Sequence, residues 1–154
     1  MRKFGLLILL TFAVMIPAVQ AQVADVPNFR RVADYRIRVG TPYNKEGYRV
    51  YHYHCYGHNE NLAKQYVSLL QENGLTLIEH KEKSNETWNT PDFWLEGAWM
   101  CNERHEDWFF DCKGHQIVFS LSHYSMYEGG KNPQRKENMY FHVKVANDLT
   151  YEED

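Results

Sequence analysis

The alternation of apolar and polar residues along the chain predicts a protein built mainly of β-strands. A period of two is typical of a strand with one buried face. This pattern occurs in residues 34–40 and 138–145, each of which is therefore predicted to have one buried and one polar face. The segment 48–56, dense in tyrosine and histidine, is predicted as a further strand.

One segment has helical spacing instead. Asn59 is a suitable N-cap, and Asn73-Gly74 is a typical helix end. Residues 75–79 then form an apolar segment that predicts a strand directly after the helix. The apolar residues of the predicted helix recur on one face, at Leu62, Tyr66, Leu69 and Leu70.

A hairpin is predicted where residues 108–112 and 115–124 flank the turn Lys113-Gly114. Residues 81–91 are polar and predict a loop. Strands joined by short turns are antiparallel. We therefore expect an α+β fold, in which one amphipathic helix packs on a mainly antiparallel sheet of about five or six strands.

Residues 1–21 have the three-part pattern of a cleavable signal peptide. Two basic residues near the start precede the apolar segment 5–16, and cleavage is expected after Ala21. About 12 apolar residues are fewer than the roughly 20 that a membrane-spanning helix needs. We therefore expect a secreted or periplasmic protein whose mature part, residues 22–154, is a single small domain without a membrane span.

The charge of the chain argues against a nucleic-acid partner. The formal charge is −3, and loss of Arg2 and Lys3 with the signal peptide leaves fifteen basic and twenty acidic residues, a charge of −5. An acidic surface repels the phosphate backbone. The expected partner is instead an unknown protein, a saccharide or a component of the cell envelope.

All three cysteines lie in the part predicted to be exported, where disulfides persist. Cys101 and Cys112 flank the polar stretch 102–107, and a hairpin centred on that stretch would place the two cysteines on neighbouring strands. We therefore expect a Cys101–Cys112 disulfide. Pairing with Cys55 and three reduced thiols are the alternatives.

A histidine-rich strand carries the main chemical hypothesis. Three histidines and a cysteine fall within residues 52–58, and imidazole and thiolate are ligands for zinc and copper. His52 and His54 would project from the same face of a strand, about 7 Å apart. Alternation places His142 and His80 opposite the residues expected to be buried. The predicted metal patch therefore comprises His52, His54, His142 and His80, on the sheet face away from the helix; the alternative is an ordinary, partly exposed sheet face.

The chain has no familiar catalytic motif. It lacks a Gly-x-Ser-x-Gly elbow, a His-Glu-x-x-His pair, a phosphate-binding glycine loop and a Cys-x-x-Cys pair. The favoured interpretation is a non-enzymatic exported module that binds through an aromatic and histidine-rich sheet face. The alternatives are a zinc- or copper-binding domain centred on His52 and His54, and a small hydrolase with an unrecognised site.

Overall fold

A computed structural model describes most of the chain after the predicted signal peptide, which lies outside the described residues. Some positions are described by their backbone alone, at 84, 93–95, 98–103 and 128. None of the helices within the described ranges is long and apolar enough to cross a membrane. The described residues are 23–33, 36–84, 93–95, 98–128 and 134–154.

The described part of the chain contains a short 3₁₀ turn, one α-helix and eight strands. In chain order these are the 3₁₀ turn Phe29–Arg31, β1 Ile37–Val39, β2 Tyr43–Lys45, β3 Tyr48–Tyr56, α1 Asn61–Glu72, β4 Thr76–Ser84, β5 Phe93–Leu95, β6 Ala98–Cys112, β7 His115–Glu128 and β8 Gln134–Ala146. The predicted strand over residues 48–56 is confirmed, and so is the order of strand, helix and strand that follows.

The strands form one antiparallel sheet. Six of them lie side by side in the order β1-β3-β8-β7-β6-β4, while β2 pairs with β3 and β5 pairs with β6. The three longest strands, β6, β7 and β8, are neighbours at the centre of the sheet. Because β7 is paired on both sides, its main-chain N–H and C=O groups are used in the two ladders.

Helix α1 connects β3 and β4, which are separated by three other strands. The N-cap is Glu60 and not the predicted Asn59, whose side chain accepts a hydrogen bond from the N–H of Asn61, the first residue of the helix. The helix ends at Asn73, and Gly74 follows with a φ of +87° that favours glycine. This end agrees with the prediction. The helix contributes four buried residues to the core, namely Leu62, Ala63, Tyr66 and Leu70.

An aromatic cluster occupies the centre of the core on the helix side of the sheet. The ring centroid of Phe29 lies 4.7 Å from that of Phe141 and 5.1 Å from that of Tyr66. Phe119 lies 4.8 Å from Tyr66 by the same measure. Burial of a large apolar side chain stabilises a fold by about 1.5–3 kcal/mol. The apolar sides predicted for β7 and β8 are confirmed, because Ile117, Phe119, Leu121, Phe141, Val143 and Val145 are all buried.

The expectation of an α+β fold, with one helix packed on five or six strands, is wrong. The sheet dominates the structure, since α1 has 12 residues whereas β6, β7 and β8 have 15, 14 and 13. The difference arises from two polar segments. Residues 102–107, predicted as a turn, lie in the middle of β6, and residues 81–84, predicted as loop, end β4.

Charged pairs explain why these polar segments are extended. Arg104 on β6 lies 3.4 Å from a carboxylate oxygen of Glu82 on β4 and donates two hydrogen bonds to Glu106, which is buried. A buried carboxylate is stable only when it is paired in this way. The polar residues therefore find partners within the sheet, and the strands continue through them.

Candidate functional site

The two faces of the sheet differ in composition. Successive residues of a strand point to opposite sides, so one face carries the aromatic cluster and the other carries mainly polar side chains. We call the second the polar face. At its centre it bears Ser120 and Ser122 on β7, His105 and Asp107 on β6, Tyr140 and His142 on β8, and His52 and His54 on β3.

A trough runs along β7 on the polar face. Ser122 lies between Tyr140 on β8 and His105 on β6. Ser120, one step further along, lies between His142 and Asp107. Serine is smaller than these neighbours, so β7 forms the floor between two rows of larger side chains, whose strands lie about 10 Å apart. Both serines are at least nine-tenths covered by the surrounding side chains. We call these six residues the trough.

Hydrogen bonds join the floor of the trough to its β6 wall. Nδ1 of His105 lies 2.8 Å from the hydroxyl of Ser122, and Nε2 lies 3.0 Å from Oδ2 of Asp107. The hydroxyl of Ser120 donates to the other oxygen of Asp107, at 2.5 Å. The four side chains therefore hold one another in fixed orientations. About two-thirds of the His105 and Asp107 side chains are covered.

Asp107 is a carboxylate at neutral pH. Burial alone would raise the pKa of Asp107, but the hydrogen bonds from His105 and Ser120 outweigh burial, and the pKa lies below its usual value. An ionised Asp107 only accepts hydrogen bonds. Nε2 of His105 therefore donates to Asp107, and Nδ1 lies within hydrogen-bond distance of the Ser122 hydroxyl.

The β8 wall is supported by the histidines of β3. The His54 ring stacks on Tyr140 with centroids 4.4 Å apart and planes within 4°, and Nε2 of His54 lies 2.9 Å from Oδ1 of Asn138. The His52 ring lies 6.0 Å from His142 with nearly parallel planes. His52 and His54 therefore stand behind the wall and fix its rings.

His142 is neutral at physiological pH. Burial is the largest cause, and electrostatic interactions with His52, Lys144 and His105 add to it, so the pKa of His142 falls from 6.5 to about 4. A neutral imidazole has both a donor and an acceptor nitrogen. The β8 wall thus offers a ligand hydrogen bonds of both kinds without adding charge.

The structure brings together only part of the predicted metal patch. His142 is the direct cross-strand partner of His52, and His54 projects from the same face. His80 does not join them, because a bulge between Leu77 and Glu79 moves it to the other face. There it stacks on Trp108 and lies 3.0 Å from Oε1 of Glu106. Metal binding by His52, His54 and His142 stays a prediction.

The cysteines do not have the expected arrangement. Cys101 and Cys112 lie on one strand, β6, where eleven residues span about 36 Å. A disulfide requires Cα atoms less than about 7 Å apart. The hairpin on which the Cys101–Cys112 prediction depended is therefore wrong. Cys55 and Cys112 are both buried, and the side chain of Cys101 lies outside the described residues.

Sequence reasoning missed most of the trough. The floor could have been found from β7, where Ser120 and Ser122 alternate with Phe119 and Leu121. Two small hydroxyl residues on the polar side of an otherwise bulky strand indicate a groove. His105 and Asp107 had no comparable signal, because their segment was interpreted as a turn.

The chain was compared with models of protein families, with curated proteins and with solved structures. None of these comparisons returned a match. The function proposed below is therefore argued from the geometry of the described residues.

Proposed function

We propose that this chain is an exported binding module whose trough holds a saccharide. The observation that carries the proposal is the floor of Ser120 and Ser122 between two walls of ring and carboxylate side chains. The predicted signal peptide supports a ligand outside the cytoplasm, in the envelope or the medium. The proposal extends the interpretation of the sequence, in which a saccharide was one of three possible partners.

The chemistry of the trough suits a sugar better than a peptide. A sugar presents hydroxyl groups, which donate and accept, next to apolar C–H faces. Asp107 accepts hydrogen bonds and neutral His142 does both, while the Tyr140 ring, stacked on His54 and at right angles to Tyr124, adds apolar ring surface and a polar hydroxyl. A peptide bound by strand addition needs an unpaired sheet edge. The strand under the trough is paired on both sides.

The hydrogen-bonded residues Ser122, His105 and Asp107 are of the types found in a hydrolase triad, yet the main chain around them favours binding. A nucleophilic serine needs donors placed for the oxyanion, usually main-chain N–H groups. Around Ser122 the main-chain N–H groups pair with β6 and β8. The hydrogen bonds therefore serve to order the trough.

Glycan-array binding, followed by titration of the strongest oligosaccharide, tests the proposal. Tyr140→Ala removes the ring of the β8 wall, and Asp107→Asn removes the charged acceptor of the β6 wall. We expect each variant to weaken binding at least tenfold, because a charged hydrogen bond contributes about 1.5–3 kcal/mol and tenfold is about 1.4 kcal/mol.

Ile78→Ala is the control. Ile78 is 65% exposed and lies at the bulge of β4, an edge strand that contains no trough residue. It should leave the affinity within twofold of the parent. The proposal is wrong if no glycan binds at millimolar concentration, or if a peptide library yields ligands that the Tyr140→Ala variant no longer holds.

A further inference from the structure

Two histidines and a glutamate meet on the face opposite the trough, at the end of the sheet near the start of α1. His58 follows β3, His123 lies on β7 and Glu137 lies on β8. One possible ligand atom from each residue falls within 4.8 Å of the others. Three separate segments of the chain thus converge on one point.

The turn that carries His58 is fixed against β8. The N–H of Gly57 donates to the carbonyl of Glu137 at 2.8 Å. Gly57 has a φ of +93°, a conformation that favours glycine. This turn brings the His58 ring over His123, with ring centroids 4.6 Å apart and planes within 13°. The glycine therefore positions the first histidine beside the second.

The distances are close to those of a metal centre. Nδ1 of His58 lies 3.8 Å from Oε2 of Glu137, and Nε2 of His123 lies 3.7 Å from Oε1. Ligands that bind one zinc ion tetrahedrally at about 2.0–2.1 Å are about 3.3 Å apart. The two imidazole rings are stacked, so zinc binding requires them to turn until each directs a nitrogen at the ion. His123 is 10% exposed, while His58 and Glu137 are about one-third exposed, so solvent reaches one side of the group.

The second nitrogen of His58 has the partner that metal-bound histidines usually have. Nε2 of His58 lies 3.3 Å from Oε1 of Glu60. A histidine that binds metal through one nitrogen commonly donates the other N–H to a carboxylate, which fixes the tautomer. Glu60 would therefore leave Nδ1 of His58 deprotonated and directed towards Glu137.

The surrounding charges favour a divalent cation. Arg104 contacts three carboxylates and Arg135 contacts Glu137 at 3.2 Å. Arg135 reaches Oε1 of Glu137, which leaves Oε2 towards His58. The connected group has a formal charge of −2, from Glu60, Glu82, Glu106 and Glu137 against Arg104 and Arg135.

A neighbouring group, His80 with Glu82 and Glu106, is a weaker choice. Its possible ligand atoms also lie within 4.8 Å of one another. However, the guanidinium of Arg104 already holds both carboxylates, and Glu106 Oε1 faces His80. A metal there would have to displace Arg104. In the first group Arg135 holds one carboxylate oxygen and leaves the other available.

We propose that His58, His123 and Glu137 bind one zinc ion, with Glu60 as a positioning residue. Two histidines and one glutamate are a known zinc ligand set that leaves a fourth position for water. A small cavity beside the group, lined by Leu121, Met139 and Arg104 among others, provides room for that position. The site uses none of the trough residues, so it goes beyond the saccharide proposal.

Titration of the chelator-treated full chain with zinc chloride by calorimetry tests the proposal. Native mass spectrometry of the same sample gives the stoichiometry. We expect one zinc ion per chain with micromolar or tighter affinity. His58→Gln and Glu137→Gln should each weaken binding at least tenfold, and Glu60→Gln should weaken it about tenfold through loss of the second-nitrogen partner. Cobalt added in place of zinc should give the intense visible absorption of a four-coordinate site.

The matched control is a double variant of the polar face, His52→Gln with His54→Gln. It removes two histidines from the other side of the sheet and should bind zinc as the parent does. His58→Gln and Glu137→Gln change partly exposed residues, so circular dichroism should show native folding. The proposal is overturned if the parent retains no zinc, or if the control variant loses as much affinity as His58→Gln. Glycan binding should survive His58→Gln, which separates the two proposals.

Discussion

The two faces of the sheet are built from alternate residues of the same strands, yet they bury different chemistry. On the helix side of β7, Phe119 and Leu121 pack into an aromatic core. On the polar face, Ser120 and Ser122 are also buried, but hydrogen bonds to Asp107 and His105 hold them in place. One face is stabilised by removal of apolar surface from water, the other by polar groups that satisfy one another.

The difference separates stability from recognition. Apolar burial is strong and non-directional, so the helix face can supply most of the free energy of folding. A net hydrogen bond contributes only about 0.5–1.5 kcal/mol. A hydrogen bond nevertheless fixes the direction of the two groups that it joins, and a buried polar group without a partner is destabilising. The polar face therefore carries fixed donors and acceptors that a ligand can use.

The largest difference between the two faces is expected for a pair of adjacent substitutions in β7. Phe119→Ala removes a ring that lies within 6.0 Å of four aromatic neighbours, and it should lower the free energy of unfolding by about 3–5 kcal/mol. Ser120→Ala, one residue along, removes the hydrogen bond to the charged Asp107 and should cost about 1.5–3 kcal/mol. Urea denaturation measures both values.

Equal costs for the two variants would contradict the distinction between the faces. They would mean that Ser120 takes part in the packing of a second core. An unchanged m-value in both variants is the internal control, because it shows that the unfolded states are alike.

The second test changes pH rather than sequence. His142 has a folded pKa of about 4 and an unfolded value near 6.5, so the unfolded chain binds more protons between these values. Stability is therefore fully present above pH 6.5 and is lost as the pH falls towards 4. The titratable or charged groups near His142 are His52, Lys144, His105 and Asp107. Because the His142 side chain is partly exposed, solvent screens this effect, and we expect the free energy of unfolding to fall by about 2 kcal/mol.

His142→Gln isolates this group from the other titrating residues. The variant should lose less stability than the parent between pH 6.5 and 4, by about the amount given above. Parallel stability curves for the two proteins would show that the trough wall does not exclude a charged imidazole.

Much of the fold follows from local patterns. The bounds of β3, the helix end at Asn73 and the turn at Lys113-Gly114 were all predictable, because alternation, capping and glycine are local signals. The length of the sheet was not. Residues 102–107 resemble a turn until Arg104 and its carboxylates on two strands are seen together. Such cross-strand pairing cannot be inferred before the strand order is known.

The sites were less predictable than the fold. Alternation correctly placed His142 on the face of His52, whereas one extra residue in β4 reversed the direction of His80. The cluster of His58, His123 and Glu137 joins residues that are far apart in sequence and share no motif spacing. Only the antiparallel register and the Gly57 turn bring them together.

A smaller effect is expected at the support of the β8 wall. A Cβ atom on Gly40 would overlap the ring of His52, which is held at 2.9 Å from the carbonyl of Thr41. Gly40→Ala should therefore displace the ring and cost about 1–2 kcal/mol, in the range of moderate overpacking. Thermal or urea unfolding measures the cost, and the NMR signals of His52 and His142 report the displacement.

The double variant Gly40→Ala with His52→Ala provides the control for this contact. With the ring absent, the added methyl group has room, so Gly40→Ala should have almost no further effect. A cost that persists in the His52→Ala background would place the strain elsewhere in the turn between β1 and β2.

The smallest effect on stability, and the most informative about function, is expected for Ser122→Ala. The hydroxyl lies 2.8 Å from Nδ1 of His105, and its loss should cost less than about 1 kcal/mol because Asp107 still holds the ring through Nε2. Loss of this contact should change the ¹⁵N NMR signals of the His105 ring. If the trough binds a saccharide, Ser122→Ala should weaken that binding about five- to tenfold, a larger effect than its effect on stability. A variant with full affinity and an unaltered His105 spectrum would show that the floor of the trough does not control recognition.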